Sequence, residues 1–265
     1  MAQLPSHASV VIIGGGIVGC SVAYHLTKRG CADVLLLERR KLTCGTTWHA
    51  AGLVGQLRAT QNLTRLAQYT TELYEGLERE TGQATGFRQV GSIAVAASSA
   101  RLEELKRGAS MARCFGLEVQ VLSPAAAQER WPLLSTEGLA GAVFLPKDGQ
   151  TNPVDTTQAL ARGARHRGAR ILEDVAVTGI HKERGRVTGV STDSGDVRAD
   201  VVVNCAGMWA REVAGWVDVN VPLHAAEHFY IVTEPITGLA TACGDTDFTG
   251  VWMGLSQRRR PTVRR

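Results

Sequence analysis

The six cysteines (Cys20, Cys31, Cys44, Cys114, Cys205 and Cys243) form no Cys-x-x-Cys pair, and their spacing matches no metal-ligand pattern. Scattered thiols of this kind give no disulfide framework and point to a reducing compartment. Cys20 and Cys205 fall in expected core elements and read as small buried apolar residues. No apolar run approaches the ~20 residues of a membrane span, and no internal repeat is visible. The opening Met1 to Ser9 is too short and too polar for a secretory signal. It also lacks the arginines of a mitochondrial presequence. The expectation is a cytoplasmic protein with no membrane partner, or a mitochondrial-matrix one if a longer animal form exists.

A general excess of charge is also missing. The formal +4 arises in the last eight residues, where five arginines (Arg258, Arg259, Arg260, Arg264, Arg265) meet no acid. Without them, 24 basic residues face 25 acidic ones, so the body offers no electrostatic footing for nucleic acid. The tail reads as a nuclear signal or RNA-binding arm, or more plainly as a disordered or aberrant terminus.

What is present is concentrated at the start. The β-branched run Val10 to Ile13 opens into Gly14-x-Gly16-x-x-Gly19, followed by a helical stretch, Cys20 to Lys28, closed by Gly30. A second apolar run, Val34 to Leu37, ends on Glu38, nineteen positions after Gly19. Strand, glycine turn, helix, strand and acid together make the dinucleotide fingerprint in its full context. Gly14 permits the tight turn and Gly16 lets the backbone approach a pyrophosphate. Gly19 lets the helix pack close, with its positive end facing the phosphates. The acid suits a ribose with a free 2′-hydroxyl, hence FAD or NAD rather than NADP.

Beyond Glu38 the chain alternates between two kinds of pattern. A Gly/Thr-rich loop, 39–55, leads to a helix whose Leu63, Leu66, Leu73 and Leu77 are spaced as a core-facing stripe. Residues 89–97 are strand-like. Ser99 is expected to cap a helix whose Leu102, Leu105, Ala109 and Ala112 face inward, with Gly116 closing it. Strands are expected at 117–122 and 141–145, with a short helix begun by Ser123-Pro124 between them. A helix over 154–166, strands at 170–172 and 175–180, and turns at Gly185 and Gly195 follow. The run Val201-Val202-Val203 suits a parallel strand buried on both faces. The segments implied are a nucleotide-binding part at 8–83, an antiparallel module at 84–153 and a second nucleotide-binding part at 154–221. The module resumes over 222–239, before a divergent basic tail at 240–265.

Several stretches together resemble the dimethylglycine and sarcosine dehydrogenase family of FAD-dependent amine oxidoreductases. They are Thr46-Thr47-Trp48-His49-Ala50-Ala51-Gly52, Glu80-Thr81-Gly82 with Gly86-Phe87, Gly91-Ser92-Ile93, Leu122-Ser123-Pro124 and Asp148-Gly149. Val202-Val203-Asn204-Cys205-Ala206-Gly207-x-Trp209-Ala210, Pro222-Leu223 and His228-x-Tyr230 continue the series, so the likeness runs over roughly 8–236. The family also includes the regulatory subunit of pyruvate dehydrogenase phosphatase, which is not itself a demonstrated amine oxidoreductase.

The resemblance implies an α/β fold: a doubly wound, Rossmann-like FAD-binding domain interleaved with an incomplete antiparallel β-sheet substrate domain. It implies oxidative N-demethylation of a small N-methylated amino acid, with hydride transfer to the flavin. The electron acceptor is left open between a flavoprotein and oxygen. The alternative is a catalytically inactive regulatory flavin-fold protein. By the family pattern His49 carries the flavin covalently; on the residues alone it reads as a loop histidine hydrogen-bonding nearby. Glu38, Arg39, Gly14, Gly16, Ile17 and Gly19 are expected around the nucleotide. Gly45, Thr46, Thr47, Gly52, Val177, Ala206 and Gly207 join them by position. Trp209 either packs on the cofactor or belongs to the core.

His228 and Tyr230 alternate on an expected strand and so share one face. By the resemblance, His228 holds a substrate carboxylate or accepts a proton; the plainer reading is a structural histidine. No metal is expected, and nothing in the spacing of His224 and Glu227 demands one. Residues 240–265 depart from the family pattern. By the resemblance, further substrate strands, a catalytic tyrosine, a last glycine-rich flavin segment and, in many relatives, a folate-binding module are missing here. The chain reads as a truncated form.

Overall fold

The computed structural model describes residues 4–227; His228, Tyr230, Cys243 and the arginine tail lie outside them. β1 (His7–Ile13) alternates as a strand should, Val10 and Ile12 entering one core and Val11 and Ile13 the other. At Gly14, with φ +111, the chain turns into α1 (Ile17–Lys28). The helix begins three residues before the apolar pattern suggests, because the extended Gly16 acts as its N-cap. β2 (Val34–Leu37) is buried throughout.

After a 3₁₀ turn (Thr47–His49) and the short β3 (Leu53–Val54) comes α2 (Gln61–Thr81). The Thr60 hydroxyl caps α2 and left-handed Gly82 ends it. Only part of its expected stripe is core. Leu77 is buried and Leu73 packs beside it, but Leu63 and Leu66 are 51% and 60% exposed. In this half of the helix Thr64 and Thr71 face the body. The Thr64 hydroxyl bonds the Arg58 backbone, and that of Thr71 bonds the Ala67 carbonyl. Periodicity marks a stripe but not which part of it meets a neighbour.

A small unit follows: β4 (Ser92–Ala96), α3 (Ser99–Cys114), β5 (Gln120–Leu122), α4 (Pro124–Arg130) and β6 (Gly141–Leu145). Ser98, not Ser99, caps α3 by accepting from the Arg101 N–H. β7 (Gly149–Gln150) then leads to α5 (Pro153–His166), capped by Asn152. The remaining elements are β8 (Arg170–Leu172), β9 (Val177–Glu183), β10 (Arg186–Thr192), β11 (Gly195–Asn204) and α6 (Ala210–Gly215).

The strands form a six-stranded sheet in the order β8-β2-β1-β11-β10-β9, a three-stranded sheet β4-β6-β5 and the pair β3-β7. β8, β2, β1 and β11 run parallel, while β10 and β9 close the far edge as antiparallel hairpins. This is a mixed α/β architecture. α1 and α5 cover one face of the large sheet, and pack on each other so closely that a Cβ on Gly163 would lie 2.8 Å from the Tyr24 ring. Full burial of Ile12, Leu36, Leu77 and Leu160 in this layer contributes about 1.5–3 kcal/mol per side chain.

β11 pairs with β1 in parallel, but it is not buried on both faces: Val201 is 49% exposed, and Val202 and Val203 are half-buried. β10 reaches only as far as Arg198. Beyond that point β11 has a described neighbour on its β1 side alone.

Candidate functional site

The site grows from the glycine turn. A Cβ on Gly14 would lie 2.5 Å from the carbonyl oxygen of Cys205, and one on Gly19 would lie 1.9 Å from that of Gly14. Backbone therefore packs directly on backbone, and α1 starts hard against the ends of β1 and β11. At Gly16 a Cβ would stand 3.0 Å from the Thr47 hydroxyl oxygen. That hydroxyl accepts the Ile17 N–H at 3.0 Å, meeting one of the open donors of the helix start.

At this end of the sheet is a cavity of about 210 Å³. Ligands of open α/β sheets bind beyond the strands' carboxyl ends, which is where this cavity lies. Its walls are Gly14 and Gly16, Glu38 and Arg39, Cys44 to Thr47, Val177, Cys205 to Gly207 and Trp209. Ile13, Leu37, Glu212, Val213 and Trp216 complete the lining.

Glu38 is 8% exposed. Its Oε2 accepts the Gly15 N–H at 2.6 Å, and its Oε1 accepts the Arg40 N–H at 3.0 Å. A third donor is the Cys44 thiol, 3.6 Å from Oε1. Two backbone amides thus hold the carboxylate in one orientation at the cavity wall. The loop beneath is fastened as well, since the Thr43 N–H donates to the Gly15 carbonyl at 3.0 Å. Thr43 adopts φ 73, an unusual value for a β-branched residue. Beside Glu38, Arg39 lies over the Trp209 ring. Burial pushes the Cys20 thiol up to about 12 and the Cys205 thiol up to about 11, so both stay protonated at neutral pH.

Of the cofactor residues singled out in the sequence, eleven line the cavity: Gly14, Gly16, Glu38, Arg39, Gly45, Thr46, Thr47, Val177, Ala206, Gly207 and Trp209. Ile17 and Gly19 stand behind the wall, in α1. Gly52 (φ +76) serves a different contact, where a Cβ would lie 2.1 Å from the Thr151 carbonyl oxygen. His49 is off the cavity wall and exposed, its ring centre 3.6 Å from that of Trp48. Sequence reasoning missed Gly15 and Cys44, although the run of three glycines and the position six after Glu38 were in view. It also missed Glu212, which carries no motif. No group of His, Cys, Asp or Glu among the described residues could hold a metal ion. Nor is any described helix long and apolar enough to cross a membrane.

The donor set suits the ADP half of a dinucleotide. Side-chain-free glycines and helix amides face where a pyrophosphate would lie, and a fixed carboxylate stands at ribose distance.

The sequence profile of the FAD dependent oxidoreductase family matches residues 9–257. Human mitochondrial sarcosine dehydrogenase is 45% identical over 242 residues, covering 89% of this chain and 26% of the relative. Human mitochondrial dimethylglycine dehydrogenase is 41% identical over 235 residues, covering 89% and 27%. The mitochondrial regulatory subunit of pyruvate dehydrogenase phosphatase from Mus musculus is 41% identical over 234 residues, covering 88% and 27%. The chain thus spans about a quarter of the length of these relatives. Among solved structures, L-proline dehydrogenase from P. horikoshii superposes with a TM-score of 0.77 at 29% identity, covering 82% of this chain and 57% of that one.

Proposed function

Because this chain belongs to the FAD dependent oxidoreductase family, we propose that it is the cofactor-binding part of an amine oxidoreductase of the sarcosine and dimethylglycine dehydrogenase type. Segments 8–83 and 154–221 would form the FAD domain, and 84–153 with 222–239 the substrate side. The substrate class is a small N-methylated amino acid. When bound, FAD supplies the ring that accepts a hydride from the N-methyl carbon.

The chain's own residues bind and orient. Gly14 and Gly16 clear the approach and the α1 amides beyond Ile17 receive the pyrophosphate, and Glu38 receives the ribose hydroxyls. The Val177 backbone meets the adenine. Gly45, Thr46, Thr47, Ala206, Gly207 and Trp209 line the path toward the flavin. His49 is assigned the covalent link: the Gly45-Thr46-Thr47-Trp48-His49 context supports it, and a neutral imidazole is a competent nucleophile. His228 and Tyr230 are assigned to the substrate face.

The observation that carries this reading is the Glu38 carboxylate, locked onto the Gly15 amide at the rim of a glycine-lined cavity. The test is the absorption spectrum of the purified chain, before and after acid precipitation and after anaerobic addition of sarcosine. Flavin absorbance that sarcosine bleaches supports the proposal, and a colourless protein that takes up no FAD removes it. A second reading, a catalytically inactive regulatory flavin-fold protein, rests on the 41% identity to the phosphatase regulatory subunit. Bound flavin that no N-methylated amino acid reduces, in this chain and in a version joined to a relative's remaining substrate segment, would favour it.

A further inference from the structure

We propose that Cys44 is a positioning residue for Glu38: its thiol fixes the orientation in which that carboxylate meets the ribose hydroxyls of the dinucleotide. The inference rests on the FAD reading above and assigns a role to a residue which that reading leaves out.

Three features of the loop place the thiol. Thr43 is held in the left-handed region, with its N–H on the Gly15 carbonyl at 3.0 Å. The Cys44 N–H donates to the Lys41 carbonyl at 3.2 Å and closes the turn. The side chain then emerges both on the cavity wall and against Glu38, 3.6 Å from Oε1. A loop held this tightly delivers the thiol to one place.

The chemistry of the contact is directional. Oε2 is fixed by the Gly15 N–H, so the carboxylate can rock only by moving Oε1. Oε1 is held by the Arg40 N–H from the backbone side and by the thiol from the cavity side. Cys44 is exposed as a residue, yet burial of its sulfur and the neighbouring Glu38 charge raise the thiol above its usual value, against the lowering effect of Arg39 and Arg40. It therefore stays protonated at neutral pH and remains a donor. A thiol is a weak donor, but here its acceptor is charged, which strengthens the bond.

The test uses the full chain, with ADP and 2′-deoxy-ADP as probes in titration calorimetry. Cys44→Ala should lose roughly two- to tenfold in ADP affinity, the worth of one hydrogen bond. It should lose less for 2′-deoxy-ADP, so the preference for the 2′-hydroxyl shrinks. Cys44→Ser keeps a donor and should return both values to within about twofold of wild type. Cys44→Asp sets a second carboxylate beside Glu38 and should weaken ADP more than alanine does. Unchanged ADP affinity in C44A, or equal loss for both probes without rescue by serine, overturns the positioning role and leaves the FAD reading standing. A wild-type chain that binds neither ADP nor FAD overturns both.

Discussion

The guanidinium carbon of Arg39 lies 4.0 Å from the centre of the Trp209 ring, joining the residue that follows Glu38 to the turn that follows β11. Trp209, left open between core and cofactor wall, is half-buried, lines the cavity and belongs to no core cluster among the described residues. A cation–π contact at such a site contributes about 0.5–1 kcal/mol. Trp209→Leu should therefore lower ADP affinity by roughly two- to fivefold if the stack shapes the nucleotide site. Titration calorimetry reads this directly, and unchanged affinity would place the pair outside the binding surface.

The glycines separate binding from folding. Gly16→Val should abolish FAD uptake, because its branches would displace the Thr47 hydroxyl that caps Ile17. Gly19→Ala should act on the fold itself, since its Cβ has only 1.9 Å to the Gly14 carbonyl oxygen. A loss of more than about 2 kcal/mol in urea unfolding is expected for Gly19→Ala, in the range of severe core substitutions. FAD uptake by Gly16→Val at wild-type affinity would sink the fingerprint assignment.

His49→Ala should leave any bound flavin extractable by acid, whereas the wild-type chain should keep it in the pellet. Flavin that stays attached in the variant would mean that another residue carries it.

If His228 acts as the proposed base, His228→Ala in a full-length relative built on this sequence should slow bleaching of bound flavin by sarcosine by about 10²–10⁴-fold, the usual cost of losing a general base. Stopped-flow absorbance measures the rate, and a wild-type rate would return His228 to a structural role.

Asp148 predicts a pH effect on stability. It is buried, accepting the Gln56 N–H at 2.8 Å and the Ser92 hydroxyl at 2.6 Å. Burial raises its pKa despite these bonds and the nearby Arg58. A raised folded value means that its stabilising contribution is complete below the unfolded pKa. That contribution is lost as pH climbs through the folded one. Asp148→Asn should thus gain on wild type between about pH 4 and pH 7. Asp148→Ala should cost about 1–3 kcal/mol by orphaning the Gln56 amide. Urea midpoints at the two pH values decide it. A constant gap between wild type and Asp148→Asn would remove the titration argument.

The parts of the fold that the sequence made legible are those fixed by local rules. β6 and β8 occupy the expected residues, and Ser123-Pro124 begins α4 as its cap and first turn should. The glycine turn was readable because few other sequences place three small residues between a buried strand and a helix. What was not legible depends on neighbours distant in the chain. The exposure of Leu63 and Leu66 follows from what α2 packs against, and that of Val201 from where β10 stops. The sequence places Gly52 beside the cofactor by its neighbours, whereas Thr151, 99 positions on, explains its conformation. Cys44 gave no signal, because a lone cysteine reveals its partner only once the loop is closed.

The order of the large sheet also constrains how the chain reaches this state. Ile13 pairs with Leu37 only 24 positions on, but on its other side with Asn204, 191 positions on. The first pairing forms from local contacts, while the second must await nearly the whole described chain and bear a larger loop-closure entropy. During synthesis β1 and β2 leave the ribosome long before β8 and β11, with the small β4-β6-β5 sheet emerging between them. Because Cys205 to Trp209 supply one wall of the cavity, the nucleotide site draws on both the local β1–β2 pairing and the distant β11, so FAD uptake would report that this long-range pairing has formed.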